Sequence, residues 1–353
     1  VMDFDAEEIA KKTSLSLSLG WLNYKDHKIN ILDTPGTPDF IGDAIVAIPA
    51  VENAVLVANA ASGFEVGLEL AIEHLENRKV GKVVVVNRMD NEHADFHKTL
   101  ESIHENAGFN PIPVHLPIGR ENTFEGVVDI IRQKAIRPSG EGEVPADMQS
   151  AVEDARLHLM EAVAETDEEL LNAFLENMEL SEEQLLKGLK NAVARGEVCP
   201  AFACSANTGV GVLALLDAVC SYLPSPEEAN PMQVLKKGEP AEFIAKADGE
   251  LLGYVFKLYA DPNMGDYAYV RMFSGSLKSG MEFYIPEKDA KDKAGNMYYM
   301  LGKNRSDTQE IRAGEIGALV KLKNAKALNS IVAVGSDLSL PVPELPTPTY
   351  WQM

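Results

Sequence analysis

Cysteine is scarce in these 353 residues, occurring only at Cys199, Cys204 and Cys220. Three thiols cannot all pair and none stands at Cys-x-x-Cys spacing, which excludes a disulfide framework and reads as a reduced, cytosolic chain. Long apolar runs are missing too. The longest uncharged apolar stretch, Ala44 to Val51, is eight residues and contains Pro49, far short of the roughly 20 needed to span a bilayer. No secretory or transit peptide is visible at Val1. Positive charge is also in short supply, with 32 Lys and Arg against 54 Asp and Glu and a net charge of −22. That balance speaks against a nucleic-acid partner for the chain as a whole, because phosphate binding needs a basic face.

The distribution of charge changes this conclusion. Between Ala241 and Leu340 there are 13 basic and 13 acidic residues, so the remainder carries the whole excess. Residues Glu121 to Pro200 alone hold 18 acids against 7 bases. Two modules with different electrostatic tasks are implied, although for the acidic stretch a pair of solvated helix faces is the favoured reading.

Strand and helix signals alternate along the first part. Leu15, Leu17 and Leu19 at period two, a polar turn at Lys25-Asp26-His27 and the run Ile29 to Leu32 predict a hairpin ending at Asp33. Phe40 to Ile48 reads as helix until Pro49, Ala54 to Ala58 as a buried strand, and Glu65 to Asn77 as a helix with Val66, Leu70 and Leu75 inward. Val83 to Val86 is an unbroken β-branched run of the kind found in parallel strands covered on both faces. A doubly wound α/β sheet follows. The next strand of that kind, Ala201 to Ala203, comes 114 residues later, far beyond the roughly 30 of a strand, helix, strand unit. An insertion fills the gap, with helix starts at Thr166 (paired with Glu169) and Ser181 (paired with Gln184). From Phe243 the texture is all-β, with strands at Tyr254–Tyr259, Tyr267–Phe273, Met281–Ile285, Met297–Leu301 and Ile316–Leu322 that predict a small barrel. Its aromatics, among them Tyr254, Tyr267 and Tyr269, stand at core spacing, with stacking on RNA bases as the alternative. The proline-rich stretch 341–353 reads as a linker.

Three loops that follow buried strands carry residues suited to a nucleotide, at the strand ends where open α/β sheets place ligands. In Asp33-Thr-Pro-Gly36 the carboxylate can hold magnesium through water, and Gly36 lets its backbone N–H approach a terminal phosphate. In Asn87-Arg-Met-Asp90 the asparagine can support loop and base while Asp90 accepts two N–H bonds from a guanine edge. In Ser205-Ala206 the Ala206 N–H is placed to face the guanine carbonyl. Asp-x-x-Gly alone is a common turn, and it is the order of the three loops that points to a guanine-nucleotide site. His93 and His97, four apart, lack the His-Glu-x-x-His order and a third ligand, which favours a solvated helix face over zinc. His115 reads as a core or loop histidine.

With these residues in place the chain resembles the translational GTPases, and among them elongation factor G, over its whole length. The resemblance rests on Asp33-Thr-Pro-Gly36, Leu116-Pro-Ile-Gly-Arg120 with Thr123-Phe-Glu-Gly126, Asp217 to Pro226, and Asp261-Pro-Asn-Met-Gly265 with Arg271 to Gly280. It implies an α/β P-loop GTPase domain over 1–232 with an inserted α/β subdomain at about 112–200, an all-β translation-factor barrel over 240–340, and 341–353 leading to a further domain. It also implies GTP and GDP with magnesium as ligands and a monomer acting on the ribosome. The barrel would meet rRNA, with Arg271, Lys278 and Lys303 as candidates, the acidic insert would meet stalk and other ribosomal proteins, and tRNA and mRNA would be moved indirectly. No membrane role is implied.

Departures from the family pattern qualify this expectation. The phosphate-cradling G-x-x-x-x-G-K-S/T loop is absent, since Gly81-Lys82 and Gly302-Lys303 lack the upstream glycine and the following hydroxyl residue. Val1-Met-Asp-Phe-Asp resembles the middle of the family's first switch segment, so the expectation is a truncated fragment, inactive by itself. Ser14 stands at the magnesium-binding hydroxyl position and retains the oxygen ligand, beside Asp33. Arg88 replaces the family's lysine, and its planar head can still lie over a purine. Thr37 occupies the position of the water-orienting histidine after Asp-Thr-Pro-Gly. Two functions stay open: a ribosomal translocase that hydrolyses GTP, or an elongation-factor-G-like paralogue that hydrolyses slowly and serves recycling, protection or regulation. A metabolic P-loop enzyme would explain neither the barrel nor the Leu116-Pro-Ile-Gly119 insert.

Overall fold

Helix α1 (Ala6–Lys11) is closed by a capping box between Asp5 and Glu8. The period-two leucines then lead into the expected hairpin of β1 (Ser18–Tyr24) and β2 (His27–Asp33), antiparallel in register from Ser18↔Asp33 to Tyr24↔His27. The computed structural model describes residues 2–76, 80–261, 265–343 and 345. Helix α2 (Ile41–Ala47) ends in a 3-10 turn at Ile48–Ala50, where Pro49 cannot donate to an α-helical ladder.

A four-stranded parallel sheet follows. Its strands are β3 (Asn53–Asn59) and β4 (Gly81–Asn87), with α3 (Val66–Glu76) between them, and then β5 (Pro111–Pro113) after α4 (Phe96–Ala107). The insert adds an antiparallel sheet of β6 (His115–Ile118), β7 (Gly126–Asp129), β8 (Lys134–Arg137) and β9 (Gly140–Gly142). Its helices are α5 (Gln149–Ala164), α6 (Glu168–Asn177) and α7 (Glu182–Arg195). Strand β10 (Cys199–Ala203) returns to the parallel sheet, giving the order β3-β4-β10-β5, and α8 (Val212–Tyr222) follows.

Several details differ from the sequence reading, each for a physical reason. Strand β3 buries one face only: Leu56 and Ala58 are inward, whereas Val55 and Val57 are 46% and 57% exposed. Helix α3 buries Leu68, Ile72 and Leu75, a true i, i+4, i+7 stripe, while Val66 lies out in solvent. Helix α6 is capped by Asp167, which accepts from Glu169 N and Leu170 N; the Thr166 hydroxyl bonds back to Val163 O instead. The Ser181–Gln184 capping box forms as expected.

The all-β part comprises β11 (Met232–Lys236), β12 (Glu239–Phe243), β13 (Leu252–Asp261), β14 (Gly265–Ser274), β15 (Ser276–Lys278), β16 (Glu282–Ile285), β17 (Ala290–Lys293), β18 (Met297–Leu301), β19 (Asn304–Thr308), β20 (Glu310–Arg312), β21 (Ile316–Val320), β22 (Ser330–Val332) and β23 (Leu338–Ser339). Eight of them form one antiparallel sheet, β17-β16-β22-β13-β14-β21-β18-β19. Tyr254, Tyr267, Tyr269 and Phe273 are buried in its core, so they pack rather than present stacking faces. Residues 262–264 of the Asp261–Gly265 motif, and most of the 341–353 stretch, lie outside the described residues.

Contacts divide the chain into one unit of Val1–Val51 with Ala229–Met353 and another of Glu52–Glu228. The first 51 residues, expected with the nucleotide-binding domain, therefore group with the β strands. Leu17, Leu19, Ala47 and Ala50 share a core with Tyr254, Phe256 and Tyr269. The Lys28 ammonium sits 3.8 Å from the Tyr299 ring centroid and 2.8 Å from Glu315. Gly302 N donates to Leu19 O at 2.8 Å. Deeper still, the Lys257 ammonium donates to the Ser16 hydroxyl, to Leu17 O at 2.9 Å and to Asp43 at 3.3 Å. Asp43 also accepts from Leu17 N.

In the second unit His115 is buried, edge-on to Phe202 at 4.9 Å, and its Nδ1 has no partner. Burial, helped by Arg132, pushes its pKa down to about 3. An unfolded histidine takes its proton near pH 6.5, so the folded state loses stability as pH falls from there toward 3. Denaturant unfolding is expected to show a loss of about 2 kcal/mol from this residue between pH 7.5 and 5. His115→Phe should remove that share of the slope; an unchanged slope would place the titration elsewhere.

Candidate nucleotide site

The residues expected to face a base come together in the second unit at the C-terminal ends of β4 and β10. Parallel pairing of Ala203 with Val86 brings the two following loops side by side. Cys204 N donates to Val86 O and Met89 N to Cys204 O, so the loops continue the ladder by one step each way. Asn87 Oδ1 then accepts from Ala206 N at 2.9 Å and from Arg88 N at 2.8 Å. Arg88 holds φ at 64°, a left-handed turn that leaves its guanidinium exposed.

Asp90 is anchored from the other side. Its Oδ1 accepts from the Ser205 hydroxyl at 2.6 Å, and its Oδ2 from Asn207 Nδ2 at 3.1 Å. These two donors hold the carboxyl below its ordinary pKa, so Asp90 is an anion with lone pairs left over for a ligand's N–H groups. Ser205 is fully buried and also accepts from Thr208 N at 3.1 Å. Asn207 and Thr208 escape the sequence reading; the run Ser-Ala-Asn-Thr after a buried strand is the signal, since short polar side chains there bond back to nearby loops. The Ala206 N–H, expected to face a ligand carbonyl, is directed at Asn87 instead. Here it fixes the asparagine, and a bound carbonyl would have to share that donor.

The phosphate-side candidates belong to the first unit. The Ser14 hydroxyl donates to Asp3 at 2.9 Å rather than to Asp33. Buried Glu8 accepts from Leu15 N at 3.0 Å and Ser16 N at 3.3 Å, pinning the segment that carries Ser14. Burial, then repulsion from Asp3 and Glu8, raises the pKa of Asp33. A hydroxyl and a carboxylate whose charge is unfavourable where it stands form a hard-oxygen donor set that fits magnesium. Among the described residues no group of three or more His, Cys, Asp or Glu could hold a metal by itself, which leaves such an ion dependent on oxygens from phosphate and water. A Cβ built on Gly36 would meet nothing within 4 Å, so the protein itself does not demand glycine there and the space is open to a ligand. Thr37 precedes the 3-10 turn Pro38–Phe40 and makes no side-chain cap bond.

Two further expectations are settled by geometry. His93, at φ 65°, lies in the turn before α4 and His97 lies within it, so they do not share a helix face. Arg271 is 3% exposed and donates to Gly314 O, which withdraws it as an RNA-facing residue. No helix among the described residues is long and apolar enough to cross a membrane.

Residues 1–225 match the family model for the elongation factor Tu GTP binding domain, and residues 250–334 that for elongation factor G domain 2. The chain is also similar to the crystal structure of a protein from Thermus thermophilus, with a TM-score of 0.82 and 29% sequence identity over 98% of this chain. The match covers 50% of that protein, so the chain spans about half its length.

Proposed function

The chain belongs to the translational GTPase family, of the elongation factor Tu and elongation factor G kind, and from that premise we propose that it is part of an elongation-factor-G-type ribosomal translocase. The observation that supports the reading is the Asn87–Ala206 and Asp90–Ser205 network, which holds an ionised carboxylate and a fixed asparagine side by side, as the edge of a guanine would require. Asp90 would accept the base's two N–H donors, Asn87 would brace the loop and Arg88 would cover a purine face. Ser14 and Asp33 would hold magnesium, Asp33 through water; bound there, the ion neutralises phosphate charge. Gly36 N–H would meet the terminal phosphate. By descent, 1–232 would form the GTP-binding domain with its insert at about 112–200, and 240–340 the second domain.

The partners follow from surface chemistry. The charge-neutral β domain would meet rRNA. The acidic insert would meet ribosomal stalk proteins, for which α6 and the residue after it offer Leu175 and Met178, each 63% exposed, among Glu168, Glu176 and Glu179. A second reading, a slow-hydrolysing switch for recycling, protection or regulation, is favoured by Thr37 alone.

Calorimetry tests the nucleotide assignment. This 353-residue chain holds base-reading groups but no G-x-x-x-x-G-K-S/T loop, so GTP and GDP are expected to bind more weakly than about 100 μM, in the range of a few contacts without a phosphate cradle. Supplying an upstream segment that carries the loop should restore tight binding, with guanine favoured over adenine. Micromolar affinity in the present chain would sink the assignment of phosphate binding to that loop.

A further inference from the structure

Some lysines of the β domain are paired and others are not. Lys28, Lys257 and Lys278 are paired, with Glu315, Asp43 and Glu310 respectively. Lys288, Lys291, Lys293, Lys321, Lys323 and Lys326 are all exposed, and none takes part through its side chain in an ion pair or hydrogen bond among the described residues. Five of the six lie on two segments joined by a buried carboxylate, and Lys288 lies on the 3-10 turn just before β17. Asp292 lies between Lys291 and Lys293 on β17 and points inward, where it accepts from Lys323 N, Asn324 N and Ala325 N at 3.2, 2.8 and 3.1 Å. Asn324 Nδ2 returns a bond to Lys291 O at 3.0 Å. Ala325, 6% exposed, roots the loop in the core. Loop 321–326 is thereby fastened along β17, and the lysines of both segments project from a fixed frame.

The neighbouring acids do little to answer this charge. Asp292 is inside, Glu287 is turned onto Ser330, Asp289 accepts from the Tyr284 hydroxyl at 2.8 Å, and loop 321–326 contains no acid. Glu282, across from Lys293 in the β16–β17 register, is the remaining carboxylate of that hairpin. A chain of net charge −22 could have paired these cations internally, and does not. Neither segment contains an exposed large hydrophobic side chain, so the surface lacks the apolar anchor on which protein partners dock. Lys291 and Lys293 share one face of a strand, about 6.6 Å apart along it, a spacing on the order of that between neighbouring backbone phosphates.

We propose that β17 and loop 321–326 form a docking surface for the phosphate backbone of RNA, with Asp292 as the positioning residue that aligns its two halves. This rests on the reading of the β domain as the RNA-facing module, and replaces buried Arg271 and paired Lys278 with a set the sequence did not single out. The test is fluorescence anisotropy of the 353-residue chain with a labelled RNA stem-loop between about 50 and 200 mM salt. The triple variant Lys291→Ala, Lys323→Ala, Lys326→Ala is expected to lose about tenfold in affinity at the low end and to flatten the log–log salt slope by about 2 to 3, because fewer counterions are released. Lys236→Ala with Lys237→Ala, on the β11–β12 hairpin, should leave both unchanged. Asp292→Asn, which keeps the lysines but weakens the loop's anchor, should lower affinity without flattening the slope.

An unchanged slope in the triple variant overturns the proposal, as does failure of the parent chain to bind the stem-loop. Displacement of RNA by polyglutamate as effective as by unlabelled RNA would reassign the surface to an acidic polypeptide. None of these outcomes touches the guanine assignment, which base selectivity at Asp90 tests separately.

Discussion

Asp90→Asn, in a protein that also carries the phosphate-binding loop, is expected to weaken GTP binding by two to three orders of magnitude and shift preference to xanthosine triphosphate. Sites built to hydrogen-bond a ligand's polar edge reject the mismatched edge by factors of this size or more, because buried polar groups are left facing like groups. An aspartate matches the two N–H donors of guanine, whereas an asparagine presents one acceptor and one donor and matches xanthine. The local frame supports this exchange imperfectly. The Ser205 hydroxyl can still donate to the amide oxygen, but Asn207 Nδ2 then faces an NH2 group and must turn away. Some affinity for either base should therefore be lost, and Asn207→Ala in the Asp90→Asn background should cost little more. Competition titration of GTP against the xanthine nucleotide measures the ratio; an unaltered preference would show that Asp90 does not read the base.

The second large effect is expected at Thr37. In the proposed site nucleotide binding would use magnesium near Ser14 and Asp33 and the Gly36 N–H, none of which needs an imidazole at residue 37. Hydrolysis needs a group that orients the attacking water, and such groups together with charge stabilisation supply orders of magnitude in rate. Thr37→His in a protein that also carries the phosphate-binding loop should raise ribosome-stimulated single-turnover hydrolysis by about 100-fold, the scale of a positioned acid–base group, without tightening GTP binding. The backbone tolerates the change: Thr37 is extended at φ −83° and ψ 132°, and its side chain caps nothing. If the unmodified protein already turns over as fast as a histidine-bearing relative, another group holds the water and the slow-switch reading fails.

What the sequence revealed of this molecule was chiefly what periodicity and strand-end loops can encode. The β1–β2 hairpin, the valine strand β4, the Ser181 cap and the Asn87, Asp90 and Ser205 loops all follow from local pattern. Strand β5 did not, because Pro-Ile-Pro looks hostile to a sheet; at an edge, where one side needs no donors, it is tolerated. On α3 Leu75 is buried as expected and Leu70 half-buried, but Val66 was misplaced because it is as apolar as the residues that turn inward, and only packing chooses between them. Asn207 was invisible for a different reason: its partner, Asp90, is 117 positions away. The lysine surface needed the Asp292 bonds to bring together two segments that sequence sets 32 residues apart.

Lys257 has a mechanical consequence. Its side chain is 11% exposed, and its three acceptors come from the stretch after Ser14 and from α2, the helix that follows Gly36. If α2 were to slide while the Ser16–Leu17 strand lead stayed in place, the ammonium would keep its two oxygen acceptors but lose its charged partner, Asp43, at a site with little access to water, which costs stability. Small displacements are therefore cheaper when both segments travel together with β13, which bears the lysine. The residue works as a pinned joint that ties the stretch after Ser14 and helix α2 to the strand that bears it.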